Sequence, residues 1–153
     1  MRFILIDRIT HWHPGQFAEA TKSVALSEDF FDDHFPLRPI MPGVLILEGV
    51  AELSGLLLEE TVRQAHNRDV KAMLVMVEKA KFRSVVTPGD SLVYRATIES
   101  YNEQGGKMKG IVLRANQHIG ESKLVFTLHE IDNPRLDSRR AELLAYLLGE
   151  HNE

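Results

Sequence analysis

The feature that most constrains the fold is a helical segment, residues 44–58, whose apolar side chains lie on every face. These side chains belong to Val44, Leu45, Ile46, Leu47, Val50, Ala51, Leu53, Leu56, Leu57 and Leu58. A surface helix carries a polar stripe along one side, and this segment shows no clean one. The helix, predicted to run from near Gly43 to about Ala65, is therefore expected in the middle of the fold.

Three prolines before the helix predict an ordered, extended loop. Pro36, Pro39 and Pro42 each fix a φ angle and lack a backbone N–H. Pro42 is well placed for the first helical turn, where that N–H would have no partner within the helix. His34 stands immediately before this loop.

Two carboxylates, Glu48 and Glu52, interrupt the apolar helix and need a physical explanation. Burial of a carboxylate without a partner is costly, or it makes the group keep its proton. The two lie four residues apart on one face, so that their charges disfavour each other. A proton-holding carboxyl in an apolar wall suits general acid catalysis. The alternative is that each reaches the solvated rim or pairs with a structural arginine.

The sequence around these carboxylates resembles a known enzyme signature. The signature comprises His34-Phe35-Pro36, residues 38–45, and Glu48 fourteen positions after His34. It resembles that of the (3R)-hydroxyacyl-acyl carrier protein dehydratases of type II fatty acid synthesis, in the branch with glutamate as the acid. Further likeness lies at residues 6–9, 14–15, 30–31, 79–83 and 86–90. The resemblance covers roughly residues 4–130.

The resemblance implies a fold, an assembly and a set of catalytic roles. The implied fold is the hotdog fold, an antiparallel sheet wrapped around a long central helix. The implied assembly is a homodimer, either by itself or as part of a trimer of dimers. It implies His34 as the base and Glu48 as the acid, meeting across the dimer interface. The backbone N–H groups of Gly43 and Val44 would bind the thioester carbonyl. No metal or organic cofactor is implied.

The implied partner is an acyl carrier protein bearing 3-hydroxyacyl chains. Such a carrier is acidic, so a basic rim around the mouth of an apolar tunnel is expected. The candidates for this rim are Arg38, Lys79, Lys81 and Arg83. Ordinary solvated charge is the alternative for all four, because surface charge tunes encounter rates without marking one site.

The chain departs from the family pattern close to the implied site. Leu37 replaces the usual glycine after His-Phe-Pro, which would cost about 1 kcal/mol at positive φ and would narrow the pocket. Asp33 replaces a small residue and is expected to raise the pKa of His34. Glu52 replaces glutamine and is expected to raise the pKa of Glu48, and Gly49 replaces alanine. These changes keep two alternatives open: a non-catalytic subunit that binds acyl thioesters, and a hotdog thioesterase.

Outside the signature, hydrophobic periodicity predicts an α+β domain. Strands are predicted at residues 17–26, 72–77, 91–101, 107–117 and 122–131, with turns at 10–15, 105–106 and 119–120. A helix is predicted at residues 138–148, with Ser138 as its N-cap and Gly149 at its C-terminal end. It belongs to a helical extension, residues 134–150, of one domain spanning 1–153, and packs on that domain or on a neighbouring subunit.

Composition excludes several classes of protein. The chain has no cysteine, so disulfides and thiolate metal sites are excluded. A net charge of -4 argues against general nucleic-acid binding. There is no apolar run of 18 residues and no secretory leader pattern, which predicts a cytoplasmic protein without membrane insertion.

Overall fold

The computed structural model describes residues 1–150 as six strands, two α-helices and one short 3-10 helix. In chain order the elements are β1 (Arg8–His13), β2 (Phe17–Ser23), the 3-10 helix (Asp29–Asp32), α1 (Gly43–His66), β3 (Lys71–Phe82), β4 (Ser91–Asn102), β5 (Gly105–Arg114), β6 (Gln117–His129) and α2 (Pro134–Leu147).

The six strands form one antiparallel sheet in the order β1-β2-β4-β5-β6-β3, and the sheet wraps α1. Helix α1 packs against five of the six strands, from β2 to β6. Leu53, Leu57, Leu58 and Val62 have no solvent-exposed surface, which explains why the helix is apolar on all sides. The α+β hotdog arrangement is therefore confirmed, and α1 begins and ends within one residue of its predicted limits.

The predicted turns were wrong at three places. Residues 10–13 belong to β1, so that only Pro14 and Gly15 remain of the predicted turn at 10–15. Asn102 makes the turn between β4 and β5, because its side-chain oxygen accepts from the backbone N–H groups of Gln104 and Gly105. The turn before β6 is made by Ala115 and Asn116, both with positive φ, and not by residues 119–120.

Packing explains the glycine pair that resembled a turn. Gly105 and Gly106 begin β5, and a Cβ at Gly105 would lie 2.3 Å from the carbonyl oxygen of Phe126. A Cβ at Gly106 would lie 2.9 Å from Leu58 of α1. The two glycines therefore permit close approach of a neighbouring strand and of the central helix.

Helix α2 starts earlier than predicted and packs on the same chain. Asn133 is its N-cap, since its side chain accepts from the N–H groups of Arg135 and Leu136, and Ser138 lies inside the helix. Gly149 follows the helix with φ of 78°, as predicted for its C-terminal end. Leu147 is 1% exposed and belongs to the core. Among residues 1–150, no helix is long and apolar enough to cross a membrane.

Candidate active site

The loop before α1 is held by paired hydrogen bonds. The N–H of Ile40 donates to the carbonyl of His34 at 3.0 Å, and the N–H of Arg38 donates to the carbonyl of Phe35 at 2.9 Å. The second bond closes a turn whose central residues are Pro36 and Leu37, with φ of 65° at Leu37. A type II turn has proline and then glycine at these positions. The chain thus keeps the backbone geometry that glycine favours while carrying leucine there.

The orientation of the His34 ring is fixed by its own loop. Its Nδ1 lies 2.7 Å from the carbonyl oxygen of Ile40, and its ring stacks on Phe35 with centroids 4.1 Å apart. A carbonyl oxygen only accepts, so Nδ1 carries the proton and donates it. Nε2 is then left with its lone pair, which is the form of imidazole that can accept a proton.

The N-terminus of α1 offers free backbone donors. Pro42 is the N-cap and makes no side-chain cap, and its carbonyl accepts from the N–H groups of Leu45 and Ile46. The N–H groups of Gly43 and Val44 belong to the first turn, which has no acceptor within the helix. A Cβ at Gly43 would lie 2.9 Å from the Phe82 ring, so glycine is required for β3 to pack there.

Glu48 and Glu52 face one cavity of about 210 Å³. Its lining residues are Phe3, Glu48, Ala51, Glu52, Gly55, Leu56, Ala72, Leu74, Phe126, Arg140 and Leu143. Desolvation by burial raises the pKa of Glu48. His34 is not part of this lining within a single chain of the described residues.

Glu52 is incompletely satisfied inside that cavity. Its Oε2 accepts from the backbone N–H of Leu5 at 2.9 Å, and its buried Oε1 has no hydrogen-bond partner among residues 1–150. Burial raises the pKa of Glu52 to about 7; Glu48 adds to the rise, while the Leu5 N–H and Arg140 oppose it. The proton-holding carboxyl expected in this helix therefore includes Glu52.

The residues that depart from the family pattern occupy different surroundings. Asp33 is exposed at the end of the 3-10 helix, beside His34 in sequence. The Leu37 side chain is fully exposed in the single chain and does not line the cavity of Glu48 there. Gly49 has a packing reason, since a Cβ there would lie 2.6 Å from the buried ring of Tyr94.

The four basic candidates for carrier contact lie on exposed surface. Lys79 and Arg83 both pair with Glu121, at 3.1 and 2.9 Å. Arg38 is in the turn beside Leu37, and Lys81 lies on β3 between the other two.

Two residues near the carboxylates were missed by the sequence analysis. Arg140 comes from α2 and lines the cavity of Glu48. Its contact with Glu59 spans 81 positions, and no local sequence pattern predicts a contact at that separation. Phe3 comes from the N-terminal segment and lines the same cavity. Hydrophobic periodicity could assign Phe3 only to an apolar run.

Solved structures with a similar fold support the architecture. An uncharacterized protein of Pyrococcus horikoshii, PH1136, aligns with a TM-score of 0.65 over 86% of this chain and 88% of its own, at 16% identity. The smu.793 protein of Streptococcus mutans, solved bound to acetyl CoA, aligns with a TM-score of 0.65 over 87% and 96% of the two chains, at 11% identity. These likenesses define the class as a hotdog-fold protein.

Sequence comparison gives the family. The FabA-like domain model matches residues 1–129, and the chain belongs to that family. The 3-hydroxyacyl-acyl-carrier-protein dehydratase FabZ of Shewanella sediminis is 36% identical over 129 residues, 84% of each chain. The FabZ of Sulfurovum sp. (strain NBC37-1) is 46% identical over 99 residues, 63% of this chain and 66% of that protein. The resemblance in the signature is thereby confirmed at the level of the family.

Proposed function

We propose that the protein dehydrates (3R)-hydroxyacyl-acyl carrier protein to the trans-2-enoyl form, in type II fatty acid synthesis or a related lipid or polyketide pathway. The observation that carries the proposal is Glu48, which keeps the family spacing from His34 and has its pKa raised by burial in a cavity that it shares with Glu52 and Arg140. The relatives named as FabZ dehydratases support the same reaction.

The proposed chemistry divides proton removal and proton donation between two groups. His34 Nε2 removes the α-proton, since Nδ1 is committed to the Ile40 carbonyl. Glu48 in its protonated form gives its proton to the β-hydroxyl, which leaves as water while the α,β double bond forms. Burial raises the pKa of Glu48, which is the direction that a general acid needs.

The N-terminus of α1 would stabilise the charge that develops on the thioester oxygen. The N–H groups of Gly43 and Val44 are in the first helical turn, where the helix dipole favours negative charge. The Phe82 ring lies against Gly43 and so helps to fix the position of this turn.

We propose further that each site combines two subunits of a homodimer. Strand β3 is 12 residues long and, within residues 1–150, pairs only with β6. It exposes an apolar run at Met73, Leu74, Val75, Met76 and Val77. A long apolar sheet edge of this kind is a surface on which another chain can associate by pairing with the edge strand. A second copy on this edge would bring a second His34 toward the cavity of Glu48. Dimers formed in this way could also assemble into a trimer of dimers through other surfaces.

The partner in this proposal is an acidic acyl carrier protein. Arg38 and Lys81 are exposed and available for it, whereas Lys79 and Arg83 already share Glu121. Rim charges of this kind chiefly change the association rate and its salt dependence.

The first test is turnover of a 3-hydroxyacyl carrier-protein thioester, followed in the dehydration and the hydration direction. His34→Ala and Glu48→Gln are each expected to lower kcat about 100-fold or more, because general acid–base catalysis contributes that much. Glu60→Gln on the same helix and His11→Ala on the surface serve as matched controls. Wild-type protein that binds the acylated carrier without turnover would favour the binding subunit, and release of free thiol would favour a thioesterase.

Mixing the two inactive variants tests the shared site. If His34 and Glu48 come from different subunits, a mixed dimer has one intact site, and random reassortment restores about a quarter of wild-type activity. If both residues act within one subunit, the mixture stays inactive.

A further inference from the structure

The cavity that holds Glu48 continues along α1 toward α2. Glu48, Glu52, Gly55 and Leu56 all line it, and they follow one face of the helix. At 1.5 Å per residue, the face from Glu48 to Gly55 is about 10 Å long. Ala72, Leu74 and Phe126 supply the opposite, apolar wall.

Gly55 lies midway along this cavity and, because it has no side chain, leaves the cavity open there. A Cβ at Gly55 would lie 3.7 Å from the Cβ of Ala72 and 3.8 Å from the Phe126 ring, which are ordinary contacts. A larger side chain at this position would occupy the cavity between α1 and the sheet. The three residues therefore form the narrow part of the cavity.

Helix α2 closes the far end of the cavity with Arg140 and Leu143. Two ion pairs hold the helix there: Arg140 with Glu59 at 3.0 Å, and Asp137 with Lys71 at 3.0 Å. Glu59 and Lys71 are both buried. Removal of Arg140 would leave the Glu59 carboxylate without its ion-pair partner, and the two pairs fix the position of α2 against α1 and β3. Leu143 packs against the hydrophobic core from the same side.

Helix α2 lies outside the part of the chain that matches the family model, which ends at residue 129. Its contribution to the cavity is therefore a property of this chain and not of the matched domain.

We propose that α2 is the end wall of the acyl pocket and that Leu143 sets the longest acyl chain the enzyme accepts. The inference rests on the proposed dehydratase function. The cavity has a volume of about 210 Å³ and is lined from Glu48 to Leu143, so an end wall at Leu143 limits how many carbons fit beyond the β-carbon. We therefore expect kcat/KM to fall once the acyl chain is too long for this space.

The test measures kcat/KM for 3-hydroxyacyl carrier-protein substrates of increasing length. Leu143→Trp is expected to lower the ratio of kcat/KM for a ten-carbon chain over a four-carbon chain by about tenfold or more, through loss of two or more buried methylenes. Leu143→Ala is expected to raise the ratio for a twelve-carbon over an eight-carbon chain about fourfold per methylene admitted.

Leu144→Ala is the matched control. Leu144 is the neighbouring leucine of α2 and also packs on the core, but it lines a separate groove with Glu60 and Arg63. Its substitution is expected to leave the length profile within about twofold of wild type.

Gly55→Leu keeps the test decisive if Leu143→Trp does not fold. Leucine is a better helix former than glycine, and it would narrow the same cavity from the α1 side. It is expected to lower the ten-carbon over four-carbon ratio as Leu143→Trp does.

The outcomes separate the inference from the function on which it rests. Wild-type turnover with a length profile that neither the Leu143 variants nor Gly55→Leu change would overturn the end-wall role and leave the dehydratase standing. Wild-type protein inert toward every length would overturn both.

Discussion

Helix α1 carries two largely buried carboxyl groups, Glu52 and Glu59, which differ in their hydrogen-bond partners. At the C-terminal end, Glu59 accepts from the Ala72 N–H at 2.9 Å and pairs with Arg140. Toward the N-terminal end, Glu52 has one bonded oxygen and one buried oxygen without a partner in the described chain. Both carboxyls are largely buried on the same helix, so the difference lies in their partners and not in their exposure.

A residue with positive φ accompanies each end, and again the two differ. Asn67 ends α1 in the left-handed conformation with φ of 53°, and its N–H donates to the Arg63 carbonyl at 2.9 Å. Leu37 adopts φ of 65° in the loop before the helix. Asparagine adopts this conformation at little cost, whereas leucine adopts it with steric strain.

The comparison distinguishes a carboxyl buried for stability from one buried beside the proposed catalytic residues. At the C-terminal end, Glu59 has a backbone donor and a counter-ion, and Asn67 suits its backbone, which is what stability alone would select. The N-terminal end keeps an unsatisfied carboxyl and a strained leucine beside the proposed catalytic residues, and departures of this kind concentrate at functional sites.

Removal of Glu59 is expected to have the largest effect on stability. Glu59→Ala leaves the half-buried Ala72 N–H without an acceptor and Arg140 without its counter-ion, so the free energy of unfolding should fall by about 2–4 kcal/mol. Urea unfolding at one fixed protein concentration measures the loss.

Glu59→Gln separates the two contributions, because its side-chain oxygen can still accept from Ala72. It should lose less than Glu59→Ala. If both variants unfold at the wild-type urea concentration, the contrast between the ends of α1 fails.

Glu52→Gln is expected to stabilise the protein at alkaline pH. The pKa of Glu52 is about 7 in the folded chain and 4.5 as the ordinary value. Between these values the folded state keeps a proton that the unfolded state has released, so the free energy of unfolding falls as pH rises from 4.5 to 7. Gln stays neutral, so at pH 8 the variant should be more stable than wild type by about 1–3 kcal/mol.

The same variant distinguishes a neighbour from a catalyst. The stability difference should shrink as pH falls through 7 toward values below 4.5, where Glu52 is protonated in both the folded and the unfolded state. Dehydration should continue at or above the wild-type rate, because Glu48 keeps its role. A fall in rate equal to that of Glu48→Gln would instead show that the proposed acid is not Glu48 alone.

Much of the fold could be predicted because its signals are local. The all-apolar face pattern of α1 predicts a central helix, and alternation predicts the strands that enclose it. The turns at Gln104 and Asn116 were harder, since the glycines near them serve packing and not chain reversal. Gly105 and Gly106 lie close to Phe126 and Leu58, and Gly120 lies close to Lys81 and Val112. A glycine alone does not distinguish these two uses.

The site could be predicted only in part, for the same reason. The apolar surroundings predict that at least one of Glu48 and Glu52 holds a proton, but they do not distinguish the two carboxyls. The partner of Glu52, Leu5, and the lining residues Arg140 and Leu143 come from the two ends of the chain. Contacts at that separation depend on tertiary packing, which no spacing within the signature encodes.

The smallest predicted effect concerns the two residues with positive φ. Leu37→Gly removes the left-handed strain and should raise the free energy of unfolding by about 0.5–1 kcal/mol. Asn67→Gly should change it by a few tenths of a kcal/mol, because asparagine already tolerates the left-handed conformation. Thermal unfolding of the two variants beside wild type measures both changes.

Leu37→Ala shows whether strain or the side chain is responsible. Alanine keeps the left-handed strain and removes most of a side chain that is fully exposed in the single chain, so no gain is expected from it. If Leu37→Gly and Leu37→Ala both lose stability, the leucine side chain packs on another subunit. The strained turn would then belong to the dimer contact that brings His34 to Glu48, and the N-terminal end of α1 would be completed only in the assembly.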